Sequence, residues 1–256
     1  GRWSLAPSPA FTDNPALTAM SAEDNHDIWA AACEPTSAGV RQAFFLHWNG
    51  AGWRRVDIPR IVHRDVCYTT IKAEPHAQVV ALGTSGNGND LTDGRPVIAQ
   101  FNGRTWDVRE CLFMGGFTVG SAAIVNSKNI WAVRSNARGL QTVEHWNGYH
   151  WQMVPMFPPE GHTYNLKALD VACSTVWVVG TDGYNRVAKP LAMYWSGQKW
   201  TMTALPVIDT QMHYELIAVK IFSSEDVQSV EWDGYGEVFL DHWNGREWSI
   251  SGQTPI

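Results

Sequence analysis

Short apolar runs separated by polar turn residues recur along the whole chain. One set is mostly apolar and rich in residues that favour β-strands, and it lies at positions 27–32, 78–83, 129–133 and 175–180. A second set of short apolar runs lies at 17–21, 68–72, 119–123, 166–170 and 216–220. Each of its first four members precedes one run of the first set. Runs of this length bounded by turn residues are typical of β-strands buried between neighbouring sheets. The pattern therefore predicts an all-β protein built from a repeated unit.

A turn flanked by two aromatic residues recurs downstream of these runs. In its first copy Trp48 is followed by Asn49-Gly50 and then by Trp53, and related copies span 101–106, 146–151, 195–200 and 243–248. Asn and Gly tolerate positive backbone dihedrals, so the turn predicts a tight hairpin. Each unit then reads as strand A, strand B, strand C ending in the first aromatic residue, and strand D starting with the second. Residues that precede the turn in register, such as His47, are repeated and are therefore interpreted as scaffold.

The repeat length predicts the fold. The second aromatic residue falls at 53, 106, 151, 200 and 248, so the spacings are 53, 45, 49 and 48 residues, which suits one four-stranded propeller blade per repeat. We therefore expect a five-bladed β-propeller with four antiparallel strands per blade, as a single domain over residues 1–256. Residues 2–9 resemble a further strand D, and closing a ring removes exposed strand edges. We expect a terminal strand to close the ring, and the sequence leaves open which one.

The repeat also carries a resemblance to known proteins. The motif His-Trp-Asn-Gly-x-x-Trp is complete at 47–53, 145–151 and 242–248. The chain resembles the kelch-like propellers, whose units place an apolar strand ending in glycine before a strand leading to tryptophan. It is similar, over essentially its whole length, to the actinobacterial repeat proteins that iterate this motif. The resemblance implies an architecture but no activity, because propellers host lectins, hydrolases, lyases, oxidases and interaction scaffolds.

Composition narrows the function classes. The formal net charge is −6 and no run of Lys and Arg occurs, so nucleic acid is not an expected partner. No apolar stretch is long enough to span a bilayer, so we expect no membrane association and a chain that is cytoplasmic, or secreted after removal of a leader. The four cysteines have no Cys-x-x-Cys spacing, which leaves buried free thiols or a bridge between Cys67 and Cys111 as alternatives. The oligomeric state stays open.

Candidate chemistry gathers on one face of the predicted propeller. Connectivity places the D-to-A and B-to-C loops on this face, and they are long, dissimilar and rich in aromatic, imidazole and charged side chains, as a binding surface on a rigid scaffold would be. We expect a ligand pocket at the central mouth of the ring. The candidate catalytic residues are His63, Asp65, His162, His213 and Glu215; the candidate substrate-binding residues are Arg64, Arg134, Tyr164, Tyr184, Arg186, Tyr214 and Trp232.

Three interpretations of the histidines stay open. His63, His162 and His213 precede the A strands of blades 2, 4 and 5, so their imidazoles could converge as general acids or bases, or as a metal site, or be ordinary polar loop residues. No cofactor is expected, with a histidine-bound metal or calcium as alternatives. Residues 85–94 offer oxygen ligands of the kind that calcium uses, or form a flexible loop that could cover the pocket.

Asymmetric loops on a repeated scaffold favour a single-site enzyme. We expect it to act on a small organic molecule by cofactor-independent acid–base chemistry, as a cyclase, lyase or hydrolase. Blade 5 departs from the repeat at Gln228, Glu231 and Trp232, and such departures can mark a site. A carbohydrate-binding, lectin-like propeller is the first alternative, and a protein-interaction scaffold is the second.

Overall fold

The protein is all-β and is built from five four-stranded sheets. The computed structural model describes residues 9, 11, 15–35, 41–61, 64–87, 90–111, 117–136, 138–158, 160, 162–172, 174–183, 188–206, 208 and 214–255. In this part of the chain the strands of each sheet are antiparallel and follow one another in chain order. Each sheet is therefore an up-and-down blade, numbered here from the N-terminal side.

The twenty strands of the described residues have the following bounds. Blade 1 contains β1 (Ala16–Ala22), β2 (Ile28–Pro35), β3 (Arg41–Trp48) and β4 (Trp53–Val56). Blade 2 contains β5 (Asp65–Glu74), β6 (Gln78–Asn87), β7 (Asp90–Asn102) and β8 (Trp106–Glu110). Blade 3 contains β9 (Phe117–Asn126), β10 (Asn129–Asn136), β11 (Gln141–Trp146) and β12 (Trp151–Val154). Blade 4 contains β13 (Tyr164–Ala172), β14 (Thr175–Asp182), β15 (Lys189–Trp195) and β16 (Trp200–Thr203). Blade 5 contains β17 (Glu215–Ser223), β18 (Asp226–Trp232), β19 (Glu237–Trp243) and β20 (Trp248–Pro255).

These strands confirm the predicted unit. Every apolar run assigned to strand A lies inside the first strand of its blade, and each aromatic turn joins the third strand to the fourth. The five hairpin glycines, which include Gly50 and Gly245, have φ between 88° and 95°. That left-handed conformation is one that glycine adopts without a steric penalty. The sequence thus predicted both the strand order and the turn chemistry.

The hydrophobic core lies between the blades. The first strands of consecutive blades contact one another in the series β1, β5, β9, β13 and β17. Between blades 1 and 2, for example, Trp29 and Phe45 pack with Tyr68, Val79 and other buried residues. Because both faces of the inner strands are covered, their sequences read as continuous apolar runs rather than as a strict alternation.

A repeated polar clamp holds the residues that precede the aromatic turns. In blade 1 the carboxylate of Asp27 accepts hydrogen bonds from Nε1 of Trp29 at 2.7 Å and from Nε2 of His47 at 2.9 Å, and the two rings stack at 4.3 Å. Asn129 binds the corresponding Trp131 and His145 in the same way in blade 3. These contacts agree with the interpretation of the repeated residues as scaffold.

Closure of the ring by a terminal strand is not observed among the described residues. The C-terminal strand β20 pairs with β19 as the fourth strand of blade 5, and blade 5 makes no comparably extensive contact with blade 1 there. Leu17 and Met20 on β1 are 64% and 70% exposed, whereas Leu166 and Leu169 at the corresponding positions of β13 are 5% and 6% exposed. Residues 2–8 of the predicted N-terminal strand lie outside the described residues.

The cysteine prediction is wrong in its pairing. Cys33 of β2 forms a disulfide with Cys67 of β5, with their Cα atoms 5.5 Å apart. The reason is geometric: Cys67 faces blade 1, whereas the free thiol of Cys111 packs with Trp151 between blades 2 and 3. Burial raises the pKa of that thiol. Cys173 lies outside the described residues.

The oxygen-rich segment at 85–94 is largely strand. β6 and β7 extend into it as a long hairpin, in which Asn87 pairs with Asp90, and only residues 88 and 89 lie outside the described backbone. The hairpin therefore replaces most of the loop expected from the composition. Nowhere in the described ranges does a helix occur that is long and apolar enough to cross a membrane.

Candidate functional site

A groove opens between blades 3 and 4 on the face that carries the long loops. It encloses about 340 Å³ and lies between the ends of β11 and β12 and the segment that leads into β13. We call it the blade 3/4 groove. Its apolar wall includes Leu140, Met153, Met156, Phe157 and Leu166, and its polar lining comprises Gln141, Thr142, His162, Thr163 and Tyr164. The groove lies between two blades, not at the central mouth where the sequence placed a pocket.

An imidazole and a carboxylate meet at the wall of this groove. Nδ1 of His162 contacts Oδ2 of Asp182 within hydrogen-bonding distance. The backbone N–H of Thr163 donates to the other oxygen of Asp182 at 3.3 Å, and Gly183 donates to the Thr163 carbonyl at 2.7 Å. The carboxylate is therefore held in place while the histidine side chain stays 47% exposed. A carboxylate on Nδ1 orients the ring and leaves Nε2 as the nitrogen that exchanges a proton.

Local pairing explains how two distant parts of the chain form this dyad. Asp182 is the last residue of β14, and it pairs with Tyr164, the first residue of β13. His162 therefore lies two residues before a strand whose neighbour ends in the carboxylate. The pKa of Tyr164 is raised by burial and by the charge of Asp182, so its phenol stays a hydrogen-bond donor at neutral pH.

Part of the apolar lining of the groove is open to solvent. Phe157 is 86% exposed and Leu140 is 65% exposed, although both line the cavity. Exposed large apolar side chains beside a concave surface are typical of a ligand-binding or protein-binding site. The groove thus combines an exposed aromatic ring, further apolar side chains and a few polar groups.

Four of the predicted site residues cannot be placed. His63, Tyr184, Arg186 and His213 lie outside the described residues. The convergence of the three histidines is therefore an untested prediction, and of the trio only His162 can be located. Among the residues that the structure does describe, no three His, Cys, Asp or Glu side chains gather in a way that could hold a metal ion.

The predicted residues of blade 2 and blade 3 form ion pairs and hydrogen bonds of their own. Nε of Arg64 lies 2.8 Å from Oε1 of Glu110, and Asp65 accepts a hydrogen bond from the backbone N–H of Arg41. Arg134 is 1% exposed and is paired with Glu144 inside the interface with blade 2. Their roles in binding or catalysis stay predictions.

The predicted residues of blade 5 gather at the start of β17. Tyr214 is buried with its ring edge-on to Phe239, and the carboxylate of Glu215 lies 3.0 Å from Nζ of Lys167. Glu215 pairs with Trp232, which ends β18. This cluster lies on the same face of the propeller as the groove, but between blades 4 and 5 and not between blades 3 and 4.

Blade 5 contains two buried carboxyl groups that the sequence did not predict to lie together. Glu231 on β18 and Asp241 on β19 are 1% and 0% exposed, on the face of blade 5 from which Val227 packs against blade 4. No donor among the described residues reaches Oε2 of Glu231 or either oxygen of Asp241. The two groups therefore satisfy each other only when one is protonated. Burial, with the charge of Asp241, raises the pKa of Glu231 to about 8. The departure of the blade 5 sequence from the repeat at Glu231 was the feature that could have indicated this pair.

Comparison with known proteins shows the fold. Neither the search of protein-family models nor the search of curated proteins found a match. Among solved structures, YCF48 bound to the D1 peptide has a TM-score of 0.56 at 12% identity, covering 96% of this chain and 86% of that chain. The fucose-recognising, six-bladed lectin of Aleuria aurantia has a TM-score of 0.55 at 12% identity, covering 94% and 78%.

A third similar structure is an enzyme. Trypanosoma rangeli sialidase, in a complex with difluorosialic acid, has a TM-score of 0.58 at 13% identity, covering 94% of this chain and 47% of that chain. These matches lend no support to a kelch-like or actinobacterial repeat family. Five up-and-down sheets together with these neighbours show that the chain has a β-propeller fold.

Proposed function

We propose that this propeller binds a small, largely apolar organic molecule in the blade 3/4 groove and that His162 transfers a proton to or from it. The observation that supports this most is the contact between His162 and Asp182 at the wall of an apolar cavity. This proposal keeps the acid–base enzyme expected from the sequence and moves its site away from the central mouth.

The chemistry of the groove suits the three reaction classes expected from the sequence. An imidazole held by a carboxylate serves as a general base through its free nitrogen and returns the proton as a general acid. Tyr164 supplies a hydrogen-bond donor on the same side, and Phe157 supplies a surface on which a ring can stack. A cyclisation, an elimination and a hydrolysis each need one proton transfer of this kind, and all three stay within the proposal.

The proposal is tested with p-nitrophenyl acetate, an uncharged aromatic ester whose hydrolysis an imidazole accelerates. We expect saturable hydrolysis by the wild type, with kcat about a hundredfold lower in His162→Ala. Asp182→Asn is expected to lower kcat by about tenfold or more because the ring loses its orientation. Phe157→Ala is expected to raise KM and leave kcat unchanged, because it removes binding area only.

The matched control is a histidine outside the groove. His26 is 76% exposed and lies 4.0 Å from Asp24, so it is an exposed histidine near a carboxylate that lacks both the ring hydrogen bond and the apolar wall. His26→Ala is expected to hydrolyse the ester as the wild type does. Equal rates for His162→Ala and His26→Ala would refute proton transfer by His162 and leave a binding groove.

Carbohydrate binding is the second candidate function. It is favoured by Phe157, whose 86% exposed ring lies beside polar groups as sugar-stacking aromatic residues do. The similar lectin of Aleuria aurantia recognises fucose. Calorimetric titration with α-methyl-L-fucoside tests it, and binding that survives His162→Ala but is lost in Phe157→Ala would favour a lectin over an enzyme.

Several other expectations remain proposals. An interaction scaffold would use the same exposed apolar wall, and the similar YCF48 structure contains a peptide. A disulfide between blades is typical of proteins that fold outside a reducing cytosol, so of the two expected locations we favour secretion. Membership of the kelch-like or actinobacterial repeat proteins and closure of the ring by a terminal strand are kept as hypotheses.

A further inference from the structure

A second cavity lies between blades 3 and 4 on the opposite face, which carries the A-to-B and C-to-D turns. It encloses about 300 Å³ and is lined by residues of the polar clamp of blade 3 and by the facing edge of blade 4. Trp131, His145 and Trp195 supply its aromatic lining, and Asn129 supplies an amide. We call this cavity the aromatic slot.

At two other interfaces the tryptophan that corresponds to Trp131 contacts a tryptophan of the next blade. Between blades 1 and 2 the ring of Trp29 lies 6.0 Å from that of Trp106. Between blades 4 and 5 the ring of Trp177 lies 5.3 Å from that of Trp248.

The interface between blades 3 and 4 lacks this contact. Trp195 and Trp200 pair with each other at 5.5 Å, and within the described part of the chain no corresponding ring contact joins either of them to Trp131. Trp131 is accordingly 9% exposed, whereas Trp29 and Trp177 are 1% and 3% exposed. Trp195 and Trp200 nevertheless pack against the buried cluster that contains Trp131. The interface between blades 3 and 4 therefore lacks, among the described residues, a close ring contact that two of the other three interfaces make, and the aromatic slot lies there.

The lining residues determine which ligand charge the slot can accept. Of the described residues, no Asp, Glu, Lys or Arg lines the slot, and the clamp residue is Asn129 where blades 1 and 5 have Asp27 and Asp226. Burial lowers the pKa of His145, so its ring is neutral at physiological pH. A slot of neutral aromatic and amide groups disfavours ions, because a desolvated charge would have no partner.

The geometry points to a binding site for a small uncharged aromatic ring in the aromatic slot, seated against Trp131. The ring would lie between Trp131 and Trp195, which both line the slot, and would gain the stacking and burial that paired aromatic side chains gain. This site is separate from the blade 3/4 groove, so it stands or falls independently of the proposed acid–base function.

The test uses 5-fluoroindole as the probe, titrated against the full chain by ¹⁹F NMR. We expect saturable binding with a dissociation constant of about 1 mM or lower, as an indole-sized ligand permits. Val125 lines the slot at the end of β9, so Val125→Trp should fill the cavity and weaken binding by about tenfold or more. Phe222 holds the corresponding position in blade 5, away from the slot, and Phe222→Trp is the matched control that should bind like the wild type.

Each alternative outcome overturns the proposal. Absence of saturable binding by the wild type, or equal affinities for Val125→Trp and Phe222→Trp, would do so. Loss of binding in Phe157→Ala with full binding in Val125→Trp would place the indole in the blade 3/4 groove.

A second variant tests the slot if Val125→Trp does not fold. Asn129→Asp keeps the acceptor for Trp131 and His145, as Asp27 does in blade 1, but adds a negative charge to the slot. The affinity ratio of cationic tryptamine to 5-fluoroindole should then rise by about tenfold. An unchanged ratio would show that the probe does not occupy the slot.

Discussion

The buried carboxyl pair of blade 5 makes a quantitative prediction about stability. Glu231 is 1% exposed beside Asp241, and its pKa is about 8 in the folded protein against 4.5 for a free glutamate. As pH rises, the unfolded chain releases this proton near pH 4.5 while the folded chain keeps it until about pH 8. The free energy of unfolding therefore has no penalty from Glu231 below pH 4.5, and the penalty grows progressively up to about pH 8.

The size of the effect follows from the width of that window. Each pH unit between the two pKa values costs about 1.4 kcal/mol, so Glu231 destabilises the fold by about 3 kcal/mol at pH 7 and by almost nothing at pH 4. Glu231→Gln removes the ionisable group and supplies an amide donor for Asp241. We expect the variant to be more stable than the wild type by about 3 kcal/mol at pH 7 and equally stable at pH 4.

Urea unfolding at several pH values between 4 and 9 measures this difference. The expected gain at pH 7 corresponds to a midpoint shift of roughly 1 M urea. Glu237→Gln is the matched control, because Glu237 is an exposed glutamate on the neighbouring strand β19 and its substitution makes the same chemical change, carboxyl to amide, outside the core. Stability curves for the wild type and Glu231→Gln that stay parallel across the pH range would refute the raised pKa.

Two further predictions concern covalent and steric features of the blades. Replacing Cys33 and Cys67 together by alanine opens a link across 34 residues, and equilibrium unfolding should show a loss of about 4 kcal/mol; unchanged stability would mean that the link does not restrain the unfolded chain. A Cβ on Gly180 would lie 2.0 Å from the carbonyl oxygen of Asn165, so Gly180→Ala should cost about 3 kcal/mol or more. Gly120→Ala, whose nearest neighbour is 3.7 Å away, should stay within about 0.5 kcal/mol, and equal losses for both would contradict the clash.

The strands and hairpins could be predicted because their signals are local. An apolar run of a few residues and an Asn-Gly turn act within one hairpin, whatever the rest of the chain does. Because these local patterns recur along the five repeats, the strand order was predicted correctly for every blade. Residues 85–94 were misjudged because their Gly and Asn composition resembles a loop, although β6 and β7 continue into them by pairing with each other.

The candidate site was only half predictable. His162 and Tyr164 were selected because they lie in a long loop on the expected binding face. Asp182 was not selected, since only the pairing of β13 with β14 brings it to His162 from twenty residues away. Phe157 gave no signal of its own, because exposure of an aromatic residue is a property of the assembled surface. Arg134 shows the converse, since a residue expected in a loop is buried in an ion pair.

The sequence by itself determined the repeated unit, its four strands, its hairpin turns and the face on which the long loops lie. These features follow from backbone preferences and from which positions are apolar, and both are written along the chain. Only the tertiary structure decided which blades' residues meet. The packing of the blades made Cys33 the partner of Cys67, placed the groove and the aromatic slot between blades 3 and 4, and buried Glu231 and Asp241 on the face of blade 5 that packs against blade 4. Such contacts depend on the packing of one blade against the next, to which no single repeat carries a local signal.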